Sequence, residues 1–385
     1  MRVTKSIRLA SLILVTISSV FVVSGQTASI KKKYSNSLLY AGIEVGSKGV
    51  KLSVVEIGKN AKSQGAFNIV KDTSVNTDFI SFTPATYFST LSVFATFYHI
   101  ALTDYNIPAK SIYTLVSSGV RMQAEKEKRT KTVDSLVASF KYRINEPERK
   151  VEVIDVAEEA RLSHLGIVPD EGRFNTFLID IGSGNTKGGY FPGGNTKNFK
   201  LFQLNWGTKS IANATEKRLD ESDKTLANYN RQLFRVMAGA EQTDINYAIN
   251  TSGAYALSDN IAFSGGISWA VATLLFPEYV DRSVIVVTFD EVQRFTEKIY
   301  KDYASFSDVA LTKDPKLNAI QRASISKTVK NIHKVFDQRS LMAGSALLLK
   351  LMRQFASLYE TKQFYLVKNG QVGWVSAYVD ETLFK

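Results

Sequence analysis

A chain of 385 residues is long enough for about two domains, and its 44% hydrophobic, 22% charged and 11% aromatic make-up is that of an ordinary globular protein. Lysine and arginine outnumber aspartate and glutamate 48 to 36, which favours anionic ligands, but no dense basic helix or zinc-finger spacing goes with the excess, so nucleic acid is not an expected partner. Cysteine is absent, which excludes disulfides, thiolate catalysis and cysteine-ligated zinc; His99, His164 and His333 lack the spacing of a metal site and read as packing or surface residues.

Met1 to Arg8 carries Arg2, Lys5 and Arg8 without an acid, Leu9 to Val23 is apolar apart from serine and threonine, and Ser24-Gly25 closes the segment with small residues. This is the layout of a secretory signal peptide over residues 1–25. Export to the periplasm or medium is therefore expected, with no membrane span left after cleavage; an uncleaved N-terminal anchor is the alternative. Loss of the three basic residues takes the formal charge from +12 to +9. A polar connector follows over 26–37.

A first strand pair is expected over 38–57, and a long Phe-, Leu- and Ala-rich helix is entered after Pro84 and ends before Asn106-Ile107-Pro108. Ser111 to Ser117 reads as a strand leading to Ser118-Gly119-Val120-Arg121, then a charged helix from Gln123 to about Tyr142. Val151 to Val156 is a short strand running into Ala157 to Leu162, which has helix-forming composition. Pro169 to Arg173 reads as a linker. The second half opens on a strand pair at 177–191 and passes through Lys200 to Leu204 into a helix from Lys209. A mostly helical stretch spans Ala227 to Leu257. Asn260 to Phe263 is a strand that meets Ser264-Gly265-Gly266 and a helix from Ile267. Val284 to Val287 is strand, helices run through Tyr303, over Lys313 to Phe336 and over Ser340 to Tyr359, and a strand at Phe364 to Val367 is followed by an Asn369-Gly370 turn. Strands that end at Gly or Ser before a helix are the habit of an α/β fold with ligands at the strand ends.

Two stretches carry candidate chemistry. In FLIDIGSGNTKGGYFPG, at 177–193, an apolar strand delivers Asp180 to a turn of Gly182-Ser183-Gly184-Asn185. In AGIEVGSKGVKLSVVEI, at 41–57, Glu44 stands where Asp180 stands and Gly46-Ser47 matches Gly182-Ser183. Glycines let a backbone approach an anion closely, and a carboxylate at a strand end can hold a metal ion through water. A plain hairpin turn is the alternative for either stretch alone. Two such stretches suggest two related halves facing one cleft.

Taken together, the segments resemble the exopolyphosphatase and guanosine-pentaphosphate phosphohydrolase (Ppx/GppA) family of the actin-like ATPase superfamily. EVGSKGVKL at 44–52 is similar to its first phosphate motif, SSGVRMQAE at 117–125 to its Ser/Thr-x-x-x-Arg segment, and VIDVAEEARLSHLGI at 153–167 to its strand followed by EEARL. SGGISWAVATL at 264–274 resembles the Gly-Gly-to-helix segment, RSLMAGSALLLKLM at 339–352 the penultimate helix, and FYLVKNGQVGW the closing strand and turn.

The resemblance implies an α/β, two-lobed actin-like (ribonuclease H-like) fold. Lobe I would cover 38–168 and lobe II 174–385, with the last helix packing back on lobe I. It implies hydrolysis of a phosphoanhydride, polyphosphate or nucleotide, by water. Glu159 would be the general base and Arg121 a phosphate contact. Gly46, Ser47, Lys48, Gly182, Ser183, Gly184, Asn185, Thr186, Gly265 and Gly266 would bind the phosphates, with Gly46, Gly182 and Gly184 presenting N–H groups. Glu44 and Asp180 would hold Mg2+, or another divalent cation, through its waters. A homodimer is an open option. The residues alone also allow Glu158-Glu159 as a solvated first helical turn and Arg121 as a surface residue.

The chain departs from the family pattern at Glu44, where aspartate is usual, and at Ser183, Asn185 and Lys187, where glycine, serine and glutamate are usual. Lys187 reverses a charge beside the clamp. Either metal use is altered or the site binds without turning over. Export disfavours guanosine pentaphosphate, a cytosolic signal, so an exported exopolyphosphatase-like hydrolase is the expected function. A weak or inactive polyphosphate-binding protein is the alternative, and a sugar or acid kinase the third reading.

Overall fold

The computed structural model describes residues 32, 34, 36–58, 67–356, 361–368, 370, 374, 377 and 378; the expected signal peptide and residues 26–31 of the connector lie outside the described residues. β1 (Leu38–Val45) and β2 (Gly49–Ile57) pair antiparallel as the sequence expects, and β3 (Phe67–Asn76) adds to the edge of β2. α1 (Pro84–Thr103) starts where Pro84 presets the first turn and the Thr83 hydroxyl accepts from the Thr86 N–H at 3.2 Å. β4 (Ile112–Val116) runs parallel to β1.

The single charged helix expected from Gln123 to Tyr142 is two, α2 (Ser118–Lys126) and α3 (Thr130–Arg143). The break falls at Lys128, whose φ of 57° lies in the left-handed region and reverses the chain. The first of these helices begins at Ser118, so the Ser-Gly-Val-Arg segment is its opening turn. β5 (Val151–Val153) then pairs parallel with β4, and α4 (Val156–Ile167) starts under the Asp155 carboxylate, which accepts from the Glu158 N–H at 2.8 Å.

The second half repeats the plan. β6 (Thr176–Ile181), β7 (Thr186–Tyr190) and β8 (Lys200–Leu204) form an antiparallel meander, followed by α5 (Thr208–Glu216), α6 (Leu226–Ala240), α7 (Asn246–Ser252) and the short α8 (Ala254–Leu257). β9 (Asn260–Ser264) returns parallel to β6 and leads to α9 (Gly266–Leu275). β10 (Val284–Val287), α10 (Phe289–Lys301), the short α11 (Asp308–Leu311), α12 (Ala319–Val335), α13 (Gln338–Ala356) and β11 (Gln363–Val367) complete the described elements. The helix expected from Lys313 starts only at Ala319, after Asp314-Pro315, because Asn318 caps it and Gln321 bonds back to the cap. Of the expected Asn369-Gly370 turn, Asn369 lies outside the described residues and Gly370 is helical.

The sheets are ordered β3-β2-β1-β4-β5 and β10-β11-β9-β6-β7-β8 and share an antiparallel meander followed by parallel additions beside its first strand; the second sheet carries one strand more, β10, antiparallel to β11 at its edge. Each sheet has its own core. Ile43, Val45, Leu52 and Val54 pack with Phe94, Tyr98 and Phe140, whose rings include a stacked Phe94–Phe140 pair 3.7 Å apart. Phe177, Ile179, Phe263 and Ile267 pack with Leu347, Leu348 and Phe355 of α13. α4 joins the two bodies. Its Leu162 packs with Leu115 and Ile154 of the first half and with Trp374 and Ala377 near the end of the chain. Its His164 Nε2 meets the Thr176 carbonyl at 2.9 Å. Burial drives the His164 pKa down to about 4, so the ring is a neutral packing group. No helix among the described residues is long and apolar enough to cross a membrane.

Candidate active site

The two Gly turns sit at equivalent ends of the two meanders. In the first, the Gly46 N–H donates to the Gly49 carbonyl at 2.8 Å, and Glu44 lies opposite Lys51 in the strand register. In the second, the Gly182 N–H donates to the Asn185 carbonyl at 2.9 Å, and Asp180 lies opposite Lys187. Both hairpins therefore place a carboxylate and a lysine side by side, with the acid one residue before the end of its strand. The N–H groups of Gly46 and Gly182, expected to face a phosphate, are instead used to close the turns. Those of Ser47, Lys48, Ser183 and Gly184 have no partner among the described residues and are the turn donors left for an anion.

The second turn is held from below. Gly207 lies so close that a Cβ there would stand 2.6 Å from the Gly182 carbonyl and 2.7 Å from the Asn185 nitrogen. α5 starts at this contact, and its Thr208 and Lys209 N–H groups donate to the carbonyls of Gly182 and Ser183 at 3.0 and 2.7 Å. The Thr186 hydroxyl is likewise committed, to the Trp206 carbonyl at 2.7 Å. Asn185 reaches Met122 of α2, and Gly119 at the head of that helix lies against Ser47 of the first turn. Lys48 and Lys209, from the two halves, are close enough that burial and their mutual repulsion lower the Lys48 pKa. The two turns and the N-termini of α2 and α5 thus surround one space.

Glu159 lies between them. It is 4% exposed, while Glu158 beside it pairs with Arg161 and stays half exposed, so the helix start divides the two acids between cleft and solvent. The Ser118 N–H at the head of α2 donates to Glu159 Oε2 at 2.9 Å, and the Lys187 ammonium, itself 8% exposed, donates to Glu159 Oε1. Burial alone would raise the Glu159 carboxyl, but Lys187 and the Ser118 bonds outweigh it and hold it below the usual range. Burial likewise works to lower Lys187, and the carboxylates of Glu159, Asp180 and Glu44 overcome it and raise its pKa. Asp180 accepts from the Ser264 hydroxyl at 2.8 Å, and its carboxyl is raised by burial despite Lys187 and that bond. Glu44 is pushed up to about 7 by burial, with Lys51 opposing and Glu159 adding to the shift.

Gly265, with φ 95°, fits only as glycine, since a Cβ would stand 2.2 Å from the Ile181 carbonyl and 3.1 Å from the Asp180 carboxylate. Gly266 follows as the first residue of α9, against Phe336. Arg121 is not brought to the cluster: its guanidinium pairs with Glu125 on the same helix at 2.9 Å, with both side chains about half exposed. Ser118, Ser264, Lys51, Lys209 and Gly207 are parts of the site that the sequence reading does not single out. A signal exists for Lys51: in both hairpins a lysine follows the acid by seven positions.

The divalent ion implied by the family resemblance does not fit this set of residues. Lys187 already places a full positive charge beside Glu159 and Asp180, and Lys51 lies opposite Glu44. An ammonium ~4 Å from a metal ion would repel it by roughly 4 kcal/mol per unit of metal charge at a protein-like dielectric. No group of three or more His, Cys, Asp and Glu residues is arranged to hold a metal ion among the described residues.

No protein-family model matches the sequence, and no curated protein matches it. Solved structures do. A Ppx/GppA family member from Aquifex aeolicus superposes with a TM-score of 0.61 at 16% identity, over 90% of this chain and 98% of that one. An exopolyphosphatase-like protein gives 0.55 at 14% identity, over 90% of this chain and 100% of the other. An exopolyphosphatase from Cytophaga hutchinsonii gives 0.52 at 15% identity, over 89% and 98%. At such identities the likeness establishes the fold alone, the actin-like α/β architecture, and it does so over nearly the full length of the chain.

Proposed function

We propose that this chain is a phosphoanhydride hydrolase of the exopolyphosphatase type, of the Ppx/GppA group whose fold it shares, acting outside the cytoplasm on polyphosphate-like chains. The observation that carries the reading is Glu159. A carboxylate is buried where the two lobes meet, gripped by the N–H at the head of α2 and set between two Gly turns with free backbone donors. A scaffold with no chemistry to perform has little use for an ionised group there.

In this reading the terminal phosphoryl group lies against the N–H groups of Ser47, Lys48, Ser183 and Gly184, and a water in line with the scissile bond faces Glu159. The water oxygen forms the new bond to phosphorus, the bridging oxygen departs with the electron pair as the new end of the shortened chain, and Glu159 takes the water's proton. Its depressed pKa keeps the carboxylate ionised and ready at neutral pH. As the Lys187 ammonium shares its donors with the phosphoryl oxygens, its weakened attraction makes Glu159 a stronger base at the moment the proton must move. The signal-like segment at 1–25 supports export, which favours polyphosphate over a cytosolic nucleotide signal.

Orthophosphate released by the purified mature chain from polyphosphate, tripolyphosphate and nucleoside triphosphates tests the proposal. Release from polyphosphate without any added acceptor is expected. Binding without turnover would instead point to a polyphosphate-binding protein, and acceptor-dependent ATP consumption to a kinase.

A further inference from the structure

We propose that the Lys187 ammonium is the resident cation of this cleft, standing where a divalent ion would have to sit, so that the protein grips its anion without a metal. The inference rests on the phosphoanhydride reading above. Three observations carry it. First, Lys187 Nζ is bonded to Glu159 of α4 and reaches it from β7, where Asp180 is its register partner, so one ammonium is bonded to one carboxylate and feels the attraction of a second from another element. Second, the side chains of the pair are only 10% and 6% exposed, which leaves the stem packed and the head group aimed inward rather than free in solvent. Third, the first hairpin repeats the device, with Lys51 opposite Glu44. The positive charge of the site is therefore built into both strands that leave the Gly turns.

A lysine can act in this way because its ammonium has three donors on a flexible stem. One can stay on a carboxylate while others turn to phosphoryl oxygens, next to the turn N–H groups of Ser183 and Gly184. A metal added to this arrangement would have to displace or neutralise the lysine before it could reach Asp180 and Glu159. The direction of the pKa shifts agrees: the carboxylates raise Lys187, keeping it charged.

The test uses two probes, Mn2+ alone and tripolyphosphate. Wild-type protein titrated with Mn2+ and followed by electron paramagnetic resonance should show no stoichiometric cleft site. Calorimetry in EDTA should show tripolyphosphate binding that Lys187→Gln weakens about tenfold or more, through loss of charge-assisted hydrogen bonds. Lys187→Glu should gain one Mn2+ per chain. Circular dichroism and thermal melting establish that each variant is folded; should neither fold, the two wild-type titrations decide the matter alone. One Mn2+ per wild-type chain, lost in Asp180→Asn, would overturn the proposal, as would tripolyphosphate binding that disappears in EDTA. Lys187-dependent binding in EDTA with no hydrolysis under any condition would sink the hydrolase reading and leave this inference standing. Hydrolysis that requires a divalent ion held by the protein would do the reverse.

Discussion

Lys187 Nζ on β7 donates to Glu159 Oε1 on α4, and the two groups hold each other almost wholly out of water. The contact ties the second meander to the helix that links the halves, so it belongs to the fold and to the site at once. Removing one partner strands the other as a buried charge. Lys187→Met is expected to cost about 3–5 kcal/mol in urea denaturation. Combining it with Glu159→Gln should recover a large part of that loss, because nothing charged is then left unpaired. Additive losses in the double variant would show that the two side chains act on stability separately.

The pH dependence of stability has two parts of opposite sign. Glu44 titrates near 7 in the folded protein against a reference of 4.5, so its contribution is fully present below pH 4.5 and is lost as the pH rises through 7. Glu44→Gln should remove that loss and leave the variant more stable than wild type at alkaline pH, by roughly 2 kcal/mol once partial exposure is allowed for. Glu159, held below its ordinary range, contributes stability above that range that is lost as the pH falls through its folded value. Denaturation midpoints of the two proteins across this range would expose the sign; a midpoint for Glu44→Gln that tracks wild type throughout would contradict the assignment.

The two glycines around the second turn should behave differently. Ala at Gly207 would push its Cβ into the backbone of Gly182, Ser183 and Asn185, whereas Ala at Gly184 meets nothing within 4 Å. Gly207→Ala is expected to destabilise by about 1–3 kcal/mol and Gly184→Ala by less than ~1 kcal/mol. If the anion approaches the Gly184 N–H, the second variant should nonetheless bind tripolyphosphate more weakly, which calorimetry on the folded protein would register.

Arg121 is paired with Glu125 on the outside of α2, an exposed ion pair whose loss should change stability by less than about 1 kcal/mol. A role in substrate binding requires the guanidinium to leave Glu125 and turn to the chain of phosphates. In that case Arg121→Ala should raise the KM for polyphosphate about tenfold with little change in kcat. An unchanged KM would leave Arg121 as a surface residue.

The hairpins were legible because local rules make them: apolar β-formers, glycines at the turns and an acid at each strand end. The repeat of the acid and of the Gly-Ser turn also marked the two halves as related. Lys187 was legible as a reversed charge that would weaken metal binding and could itself bind phosphate, but its pairing with Glu159 was not, since their meeting depends on α4 packing against β7. Edge strand β3 escaped because its described side chains are part-exposed or exposed and show no apolar alternation. The break at Lys128 escaped because Gln123 to Tyr142 carries no Gly or Pro there to mark a left-handed residue. The turn glycines were placed correctly, yet the bonds that consume the Gly46 and Gly182 N–H groups appear only once each hairpin closes.

The central claim, that Glu159 activates water against a phosphoanhydride, is tested most directly by orthophosphate release from polyphosphate by wild type and Glu159→Gln side by side, both shown to be folded. Release by wild type, reduced at least ~100-fold in the variant, is the expected result. An equal rate in the two proteins would contradict it.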